Sequence, residues 1–176
     1  MNDKLISYIK EYWITHRNDS AMKNIFAVNR YVFPIITDIL SSCEDIAYIS
    51  IGETKGCIEY NNYDDYGHYL EDSDTVLNVD FDDVDNDTEI DGYKIMAISE
   101  EQSREIYDFI SKNKDKHIIV HCRAGRSRSQ GVVRAILDML ADTYQECYLN
   151  GINPCTTPNM EVVRKIKRQF YINSYS

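Results

Sequence analysis

The chain has 176 residues, of which 43% are hydrophobic and 27% charged, so we expect residues 1–176 to form one compact domain with its own core. Its formal net charge of -10 at pH 7 disfavours nucleic acid as a partner and stable docking on an anionic membrane, because both kinds of binding need a cationic surface. The sequence contains neither the roughly 20 consecutive apolar residues of a membrane span nor the apolar segment of a signal peptide, so we expect a cytoplasmic protein.

The first third of the chain predicts an N-terminal helix and then two strands with a helix between them. Apolar residues recur at helical spacing over Leu5–Trp13, so residues 1–20 are expected to form a helical extension of the domain. Ile25–Val28 and the apolar run Ala47–Ile51 have the composition of short buried strands. Pro34–Leu40 is typical of the first turns of a helix, because proline is favoured at the first helical position.

The middle of the chain predicts one strand between two loops. Gly52–Asp74 is rich in Gly, Asn, Asp and Tyr, a composition typical of a surface loop. The tyrosines within Tyr60–Tyr66 either decorate this loop or line a cleft. Val76–Phe81 alternates apolar and polar residues as a strand does, and Asp82–Gly92 is expected to be an acidic loop.

The last part of the chain predicts three helices and a buried strand. Ser99 is expected to cap a helix, with Gln102 as its capping-box partner. His117–Val120 is an apolar strand, Val132–Leu140 has the spacing of a largely buried helix, and a final helix is expected to begin near Pro158. Strands that alternate with helices predict an α/β fold, with a central, mainly parallel sheet of about four to five strands flanked by helices.

The cysteine pattern argues against a metal site. The five cysteines are odd in number and contain no Cys-x-x-Cys pair, so zinc is not expected, and we expect no other cofactor. Four of them have the sequence context of buried thiols, and only one lies in a polar, basic segment. They are Cys43, Cys57, Cys122, Cys147 and Cys155.

The run His121–Ser129 is expected to bind a phosphate or a similar oxyanion. It connects an apolar strand to an apolar helix, and a loop at such a junction directs successive main-chain N–H groups into a concave cradle. Gly125 permits a sharp turn and a close approach to the ligand. The expected cradle residues are Arg123, Ala124, Gly125, Arg126, Ser127 and Arg128.

Cys122 is the expected nucleophile of this loop. Main-chain dipoles and arginines favour its thiolate, which is the reactive form. The planar guanidinium of Arg128 can bind two phosphate oxygens at once, which lysine cannot do. Ser129 is expected to donate a hydrogen bond to the sulfur, and His121 to orient the loop rather than to act as a base.

A leaving oxygen also needs a proton donor on a separate loop near the pocket. The acidic loop after the strand Val76–Phe81 supplies several carboxylates, and the residues alone leave the choice among them open. The candidates are Asp82, Asp83, Asp85 and Asp87.

The catalytic run resembles the signature of the protein tyrosine phosphatase superfamily. It has the form His-Cys-x5-Arg-Ser, and Ala-Gly-x-Ser-Arg-Ser within it is most similar to the dual-specificity branch. The similarity extends over about Val76–Leu140, with weaker agreement in Ala47–Ile51 and Pro158–Phe170. The resemblance implies a metal-free, two-step mechanism through a cysteinyl phosphate, with Asp83 as the general acid. Asp82 and then Asp85 remain as alternatives.

The resemblance also implies the kind of substrate. It indicates phosphorylated proteins or peptides, and it leaves open whether the enzyme acts on phosphotyrosine alone or also on phosphoserine and phosphothreonine. A phosphatase of inositol phosphates or phosphoinositides is the alternative within the superfamily, because Arg123 and Arg126 can hold additional phosphates. A third reading is a catalytically inactive phosphate-binding module, which usually lacks one of the catalytic residues.

Overall fold

The structure is a computed structural model that describes residues 22–64, 67–146 and 157–174, together with Ser7, Lys10, Glu11 and Trp13. Within these residues the strands are β1 Lys23–Asn29, β2 Ile46–Gly52, β3 Val76–Asp80, β4 Thr88–Ile90, β5 Tyr93–Ile95, β6 His117–Cys122 and β7 Tyr144–Glu146. The helices are α1 Phe33–Ile39, α2 Lys55–Asn61, α3 Glu100–Lys112, α4 Arg128–Met139 and α5 Met160–Ser174.

The main sheet has five parallel strands in the order β3-β2-β6-β1-β7, and the predicted α/β fold is confirmed. All six residues of β6 are buried, because this strand lies at the centre of the sheet with helices on both faces. Its apolar run is therefore the pattern expected of a central parallel strand. None of the described helices is both long and apolar enough to cross a membrane.

The two faces of the sheet carry separate apolar cores. Along β1, Ile25 and Ala27 contribute to the core under α3, α4 and α5, whereas Phe26 and Val28 contribute to the core under α1. This alternation follows from the two-residue period of a strand. Cys122 lies on the side of the larger core.

The N-terminal helix can be compared with its prediction only in part, because most of residues 1–20 lie outside the described residues. The four residues that are described there, Ser7, Lys10, Glu11 and Trp13, are all helical. The Trp13 side chain is buried, with its ring centroid 6.0 Å from that of Phe26 and 5.0 Å from that of His117. This ring anchors the N-terminal segment to the core under α1.

Two predicted loops contain regular structure instead. The loop prediction for Gly52–Asp74 was wrong over α2, a short helix with no buried residue and therefore with no apolar stripe to reveal it. The loop prediction for Asp82–Gly92 was wrong where β4 and β5 form a hairpin. At its turn Asp91 and Gly92 both have positive φ, as a two-residue type I′ turn requires.

The start of α3 is capped as predicted, whereas the last helix starts slightly later than Pro158 and is capped by another residue. The capping box of Ser99 and Gln102 is present at the start of α3, so that prediction is confirmed. The last helix begins at Met160, two residues after Pro158. Asn159 caps it, because its side-chain oxygen accepts hydrogen bonds from the main-chain N–H groups of Glu161 and Val162.

Candidate active site

The loop 123–127 leaves the carboxyl end of β6, between β1 and β2, and leads directly into α4. Gly125 has a φ of +70°, and a Cβ atom there would lie 2.6 Å from the main-chain N of Asn29 and 2.6 Å from the carbonyl carbon of Val28. No larger residue fits this position without displacing the main chain of β1. The loop therefore packs against the end of β1, where the Arg30 N–H also donates to the Arg123 carbonyl at 3.3 Å.

Cys122 is the last residue of β6, and its sulfur lies at the base of this loop. The residue is 2% exposed, and its Sγ lies 3.1 Å from the Oγ of Ser129 in the first turn of α4. The sulfur is thus buried beside a hydroxyl group that can donate to it. A thiolate in this place would also face the positive end of the α4 dipole.

Arg128 is held by three hydrogen bonds that fix its guanidinium group. Its Nη1 donates to the carbonyls of Gly52 and Phe81, each at 2.7 Å, and its Nη2 donates to Glu53 Oε1 at 2.6 Å. Burial lowers the pKa of Arg128, but the neighbouring Cys122 and Glu53 raise it above its usual value overall. Within the described part of the chain, no hydrogen bond uses its Nε–H or its second Nη2–H. These two donors match a phosphate group.

Glu53 was not found by the sequence analysis. Its second oxygen, Oε2, accepts from Arg30 Nη2, so one buried carboxylate joins two arginines. The sequence signal was an acidic residue directly after the buried strand β2. Because parallel strands end at one edge of the sheet, such a residue lies next to the end of β6.

His121 lies on the opposite face of β6 from Cys122. Its Nε2 is 2.7 Å from Ser50 Oγ, and its ring centroid is 3.9 Å from that of Phe33. Burial lowers the pKa of His121 to about 3, and the nearby His68 and Arg30 also contribute. The ring is therefore neutral at physiological pH, as an orienting group would be.

The structure separates the candidate acids. Asp82 is buried and accepts three hydrogen bonds, from the N–H and the hydroxyl group of Thr54 and from the N–H of Met96. Asp83 is exposed, and its Oδ1 accepts from Ser127 Oγ at 2.7 Å. Asp87 accepts from the N–H of Ala97 at 2.9 Å. Only Asp83 among these three is bonded to the loop 123–127.

Asp85 is also exposed, and no hydrogen bond joins it to the loop among the residues that the structure describes. Asp83 has a second partner in Asn159, whose Nδ2 donates to the same oxygen at 2.9 Å. Asn159 thus has two roles, because its oxygen caps α5 and its amide nitrogen positions Asp83. The sequence analysis missed this residue, although it expected the helix to begin near Pro158.

The remaining residues of the loop differ in their exposure and in their contacts. The Arg123 guanidinium carbon lies 3.1 Å from the ring centroid of Tyr63, so this tyrosine stands beside the loop. Ala124 and Arg126 are exposed, and the Ser127 carbonyl accepts from the N–H groups of Gly131 and Asn159. In the described ranges, no group of three or more His, Cys, Asp or Glu side chains is arranged to hold a metal ion.

The contrast between Asp82 and Asp83 leads to a prediction about stability. We expect Asp82→Asn to lower the free energy of unfolding by about 1–3 kcal/mol, because the amide presents N–H groups to buried donors. Asp83→Asn should change it by less than about 0.5 kcal/mol, because this side chain is exposed and an amide oxygen can still accept. Urea denaturation measures both values. Equal losses in the two variants would contradict the structural role of Asp82.

No protein-family model, curated protein or solved structure matches this chain. Its function is therefore inferred from the geometry around the loop and from the resemblance of residues 121–129 to a known signature.

Proposed function

We propose that this chain is a cysteine-dependent phosphatase of the protein tyrosine phosphatase superfamily, which hydrolyses phosphate monoesters through a cysteinyl phosphate. One observation carries the proposal. The sulfur of Cys122, the hydroxyl group of Ser129, the fixed guanidinium group of Arg128 and the carboxylate of Asp83 all lie around one loop between a parallel strand and a helix. An inactive binding module has no need for this set.

In the first step the Cys122 thiolate attacks the phosphorus atom. A sulfur–phosphorus bond forms, the bond between phosphorus and the leaving oxygen breaks, and the leaving oxygen takes a proton from Asp83. Both hydrogen bonds to Asp83 reach Oδ1, so Oδ2 is the oxygen that carries this proton. Ser127 and Asn159 thus orient the acid towards the loop.

Arg128 binds the transferring group with donors whose direction is set beforehand. Its Nε–H and second Nη2–H bind two equatorial oxygens, while Glu53 and two carbonyls hold the rest of the guanidinium group. Donors that need no reorientation stabilise a transition state more than mobile donors do. The main-chain N–H groups of the loop and the start of α4 complete the cradle.

In the second step water attacks the cysteinyl phosphate. Asp83, now a carboxylate, takes a proton from the water, the sulfur–phosphorus bond breaks, and inorganic phosphate forms. The sulfur leaves as a thiolate, which Ser129 stabilises by donating its hydroxyl hydrogen over 3.1 Å. No step requires a metal ion or a cofactor.

The substrate that we propose is a phosphorylated protein or peptide. Arg123 is partly buried against Tyr63, which leaves Arg126 as the exposed arginine of the loop. Hydrolysis of inositol phosphates is the alternative, because Arg126 can reach a second phosphate. Turnover rates on a panel of phosphopeptides and soluble inositol phosphates decide between the two.

The nucleophile is tested with para-nitrophenyl phosphate, an aryl phosphate that needs no recognition beyond the phosphate group. We expect Cys122→Ser to lower kcat/KM at least about a thousandfold, because a serine hydroxyl is not ionised at neutral pH. A chelator should leave the wild-type rate unchanged. Cys43→Ser, a substitution away from the loop, is the control. Residual activity of Cys122→Ser near the wild-type rate would rule out this nucleophile.

The acid is tested by changing the leaving group. Asp83→Asn should lower kcat/KM about 10²- to 10⁴-fold on phenyl phosphate, whose phenoxide needs a proton. The loss should be much smaller on para-nitrophenyl phosphate, whose leaving group is stable as an anion. Asp85→Asn is the matched control on the same acidic segment. If Asp85→Asn shows this dependence on the leaving group and Asp83→Asn does not, the assignment of the acid is wrong.

A further inference from the structure

Three hydrogen bonds connect the start of the phosphate loop to solvent. They join His121, Ser50, His68 and Asp80, and we call these four side chains the relay. His121 Nε2 is 2.7 Å from Ser50 Oγ, Ser50 Oγ is 2.6 Å from His68 Nδ1, and His68 Nε2 is 2.9 Å from Asp80 Oδ1. Ser50 and His121 are paired across β2 and β6, so the register of the sheet fixes the first contact. None of the catalytic steps proposed above uses Ser50, His68 or Asp80.

The two ends of this relay differ in their exposure to solvent. Ser50 and His121 are buried, whereas the side chains of His68 and Asp80 are 21% and 55% exposed. His68 lines two adjoining cavities of about 350 and 310 Å³, and His121 lines the second of these. A proton from solvent therefore reaches His68 more readily than His121.

The charged groups around His68 come from several segments. Those that line the same cavity are Arg30, Glu53, Lys55, Glu59, Asp64 and Asp80. The groups whose charges act on His121 are His68, Arg30 and Arg128. Among these groups, Asp80 is hydrogen-bonded to His68 and forms the solvent end of the relay.

When His68 is neutral, the position of each hydrogen-bonding proton in the relay is determined. The Asp80 carboxylate can only accept, so His68 carries its hydrogen on Nε2 and its Nδ1 accepts from the Ser50 hydroxyl group. The Ser50 oxygen then accepts from the Nε2–H of His121. His121 Nδ1 is left without a proton.

When His68 is protonated, the hydrogen bonds between His68, Ser50 and His121 reverse their directions. His68 then donates from both nitrogens, so its Nδ1–H points at the Ser50 oxygen. The Ser50 hydrogen needs a new acceptor, and within the described residues its other hydrogen-bond partner is His121 Nε2. When His121 Nε2 accepts, the single proton of the neutral imidazole ring lies on Nδ1.

We propose that His68 and Ser50 are positioning residues for Cys122, because the protonation of His68 decides which ring nitrogen of His121 carries the proton. His121 Nδ1 is buried and has no well-aligned hydrogen bond to any described residue, and the Cys122 main chain lies beside the ring. A proton on Nδ1 places an N–H dipole beside the Cys122 main chain, on the face of β6 opposite the sulfur, and the positive end of this dipole favours the thiolate. A bare Nδ1 places a lone pair there and disfavours it.

The neutral state of the His121 ring supports this mechanism. Burial lowers the pKa of His121 to about 3, so the ring carries one proton at physiological pH. The change is therefore an exchange between two neutral tautomers, without a charge in the core. The relay deepens the proposed function, but its two tests do not depend on phosphatase activity.

The first test follows the histidine tautomers by NMR in ¹⁵N-labelled wild-type protein from about pH 5 to pH 8. We expect His121 to change from the Nδ1–H to the Nε2–H tautomer at the pH at which these spectra show His68 losing its proton, while the His121 ring stays neutral. His117 is an internal control, because its Nδ1 accepts from the Asn24 N–H and its tautomer should not change. A His121 tautomer that stays constant while His68 titrates would overturn the proposal.

The second test measures the Cys122 thiolate by its rate of alkylation with iodoacetamide, read by mass spectrometry of the Cys122 peptide. Ser50→Ala removes the relay and with it the constraint that keeps the His121 proton on Nδ1. At a lower pH, where the NMR spectra show His68 to be protonated, we therefore expect the alkylation rate of this variant to fall about threefold or more below the wild-type rate. At a higher pH, where the spectra show His68 to be neutral, its rate should not fall below the wild-type rate. Ser103→Ala is the matched control, because it removes another fully buried hydroxyl group outside the relay.

The outcomes of the two tests separate the two proposals. Equal rates for Ser50→Ala and wild type at the lower pH, or the same fall in Ser103→Ala, would overturn the role of the relay. If the tautomer of His121 follows His68 and the alkylation rate responds, the relay holds, even where the protein shows no turnover of aryl phosphates. That last result would count against the phosphatase function alone.

Discussion

The Glu53 carboxylate lies between two guanidinium groups, with one oxygen bonded to Arg128 and the other to Arg30. Removing one partner of such a buried ion pair leaves an uncompensated charge and costs about 3–5 kcal/mol, so the three side chains determine one another's positions. Arg30 also binds the loop through its main-chain N–H. The direction of the free Arg128 donors, and with it the shape of the anion cradle, depends on this arrangement.

The parallel sheet explains why residues distant in sequence meet at this place. β6 lies between β1 and β2, and all three strands end at the same edge. Arg30 follows β1, Glu53 follows β2 and Cys122 ends β6, so each contributes to the site without a long connection. The same register pairs Ser50 with His121. The sheet thus positions the proposed nucleophile, the buried Glu53 with its two arginines, and the hydrogen-bonded relay together.

Much of the fold and the centre of the site were predictable, because the signals were local. An apolar run predicted β6, and Cys122, Arg128 and Ser129 are contiguous in one motif. Glu53 and Asn159 were missed, because each acts across a separation of more than 70 residues that only the tertiary structure closes. The position of Glu53 directly after a buried strand indicated its place at the sheet edge but not its partner. Helix α2 was missed for another reason: it buries no side chain and thus has no apolar periodicity.

The proposed binding of a phosphate dianion by this acidic protein depends on the charges at the loop. Glu53 and a Cys122 thiolate offset the charges of Arg30 and Arg128, and Arg123 and Arg126 are further positive groups of the loop. In the proposed site the dianion would be bound by main-chain N–H groups, by the start of α4 and by the donors of Arg128 that Glu53 does not use. In the proposed mechanism a charged carboxylate beside the dianion would repel it, so the first step needs the acid form of Asp83. The form of the proposed enzyme that accepts the dianion would then be the form that can protonate the leaving oxygen.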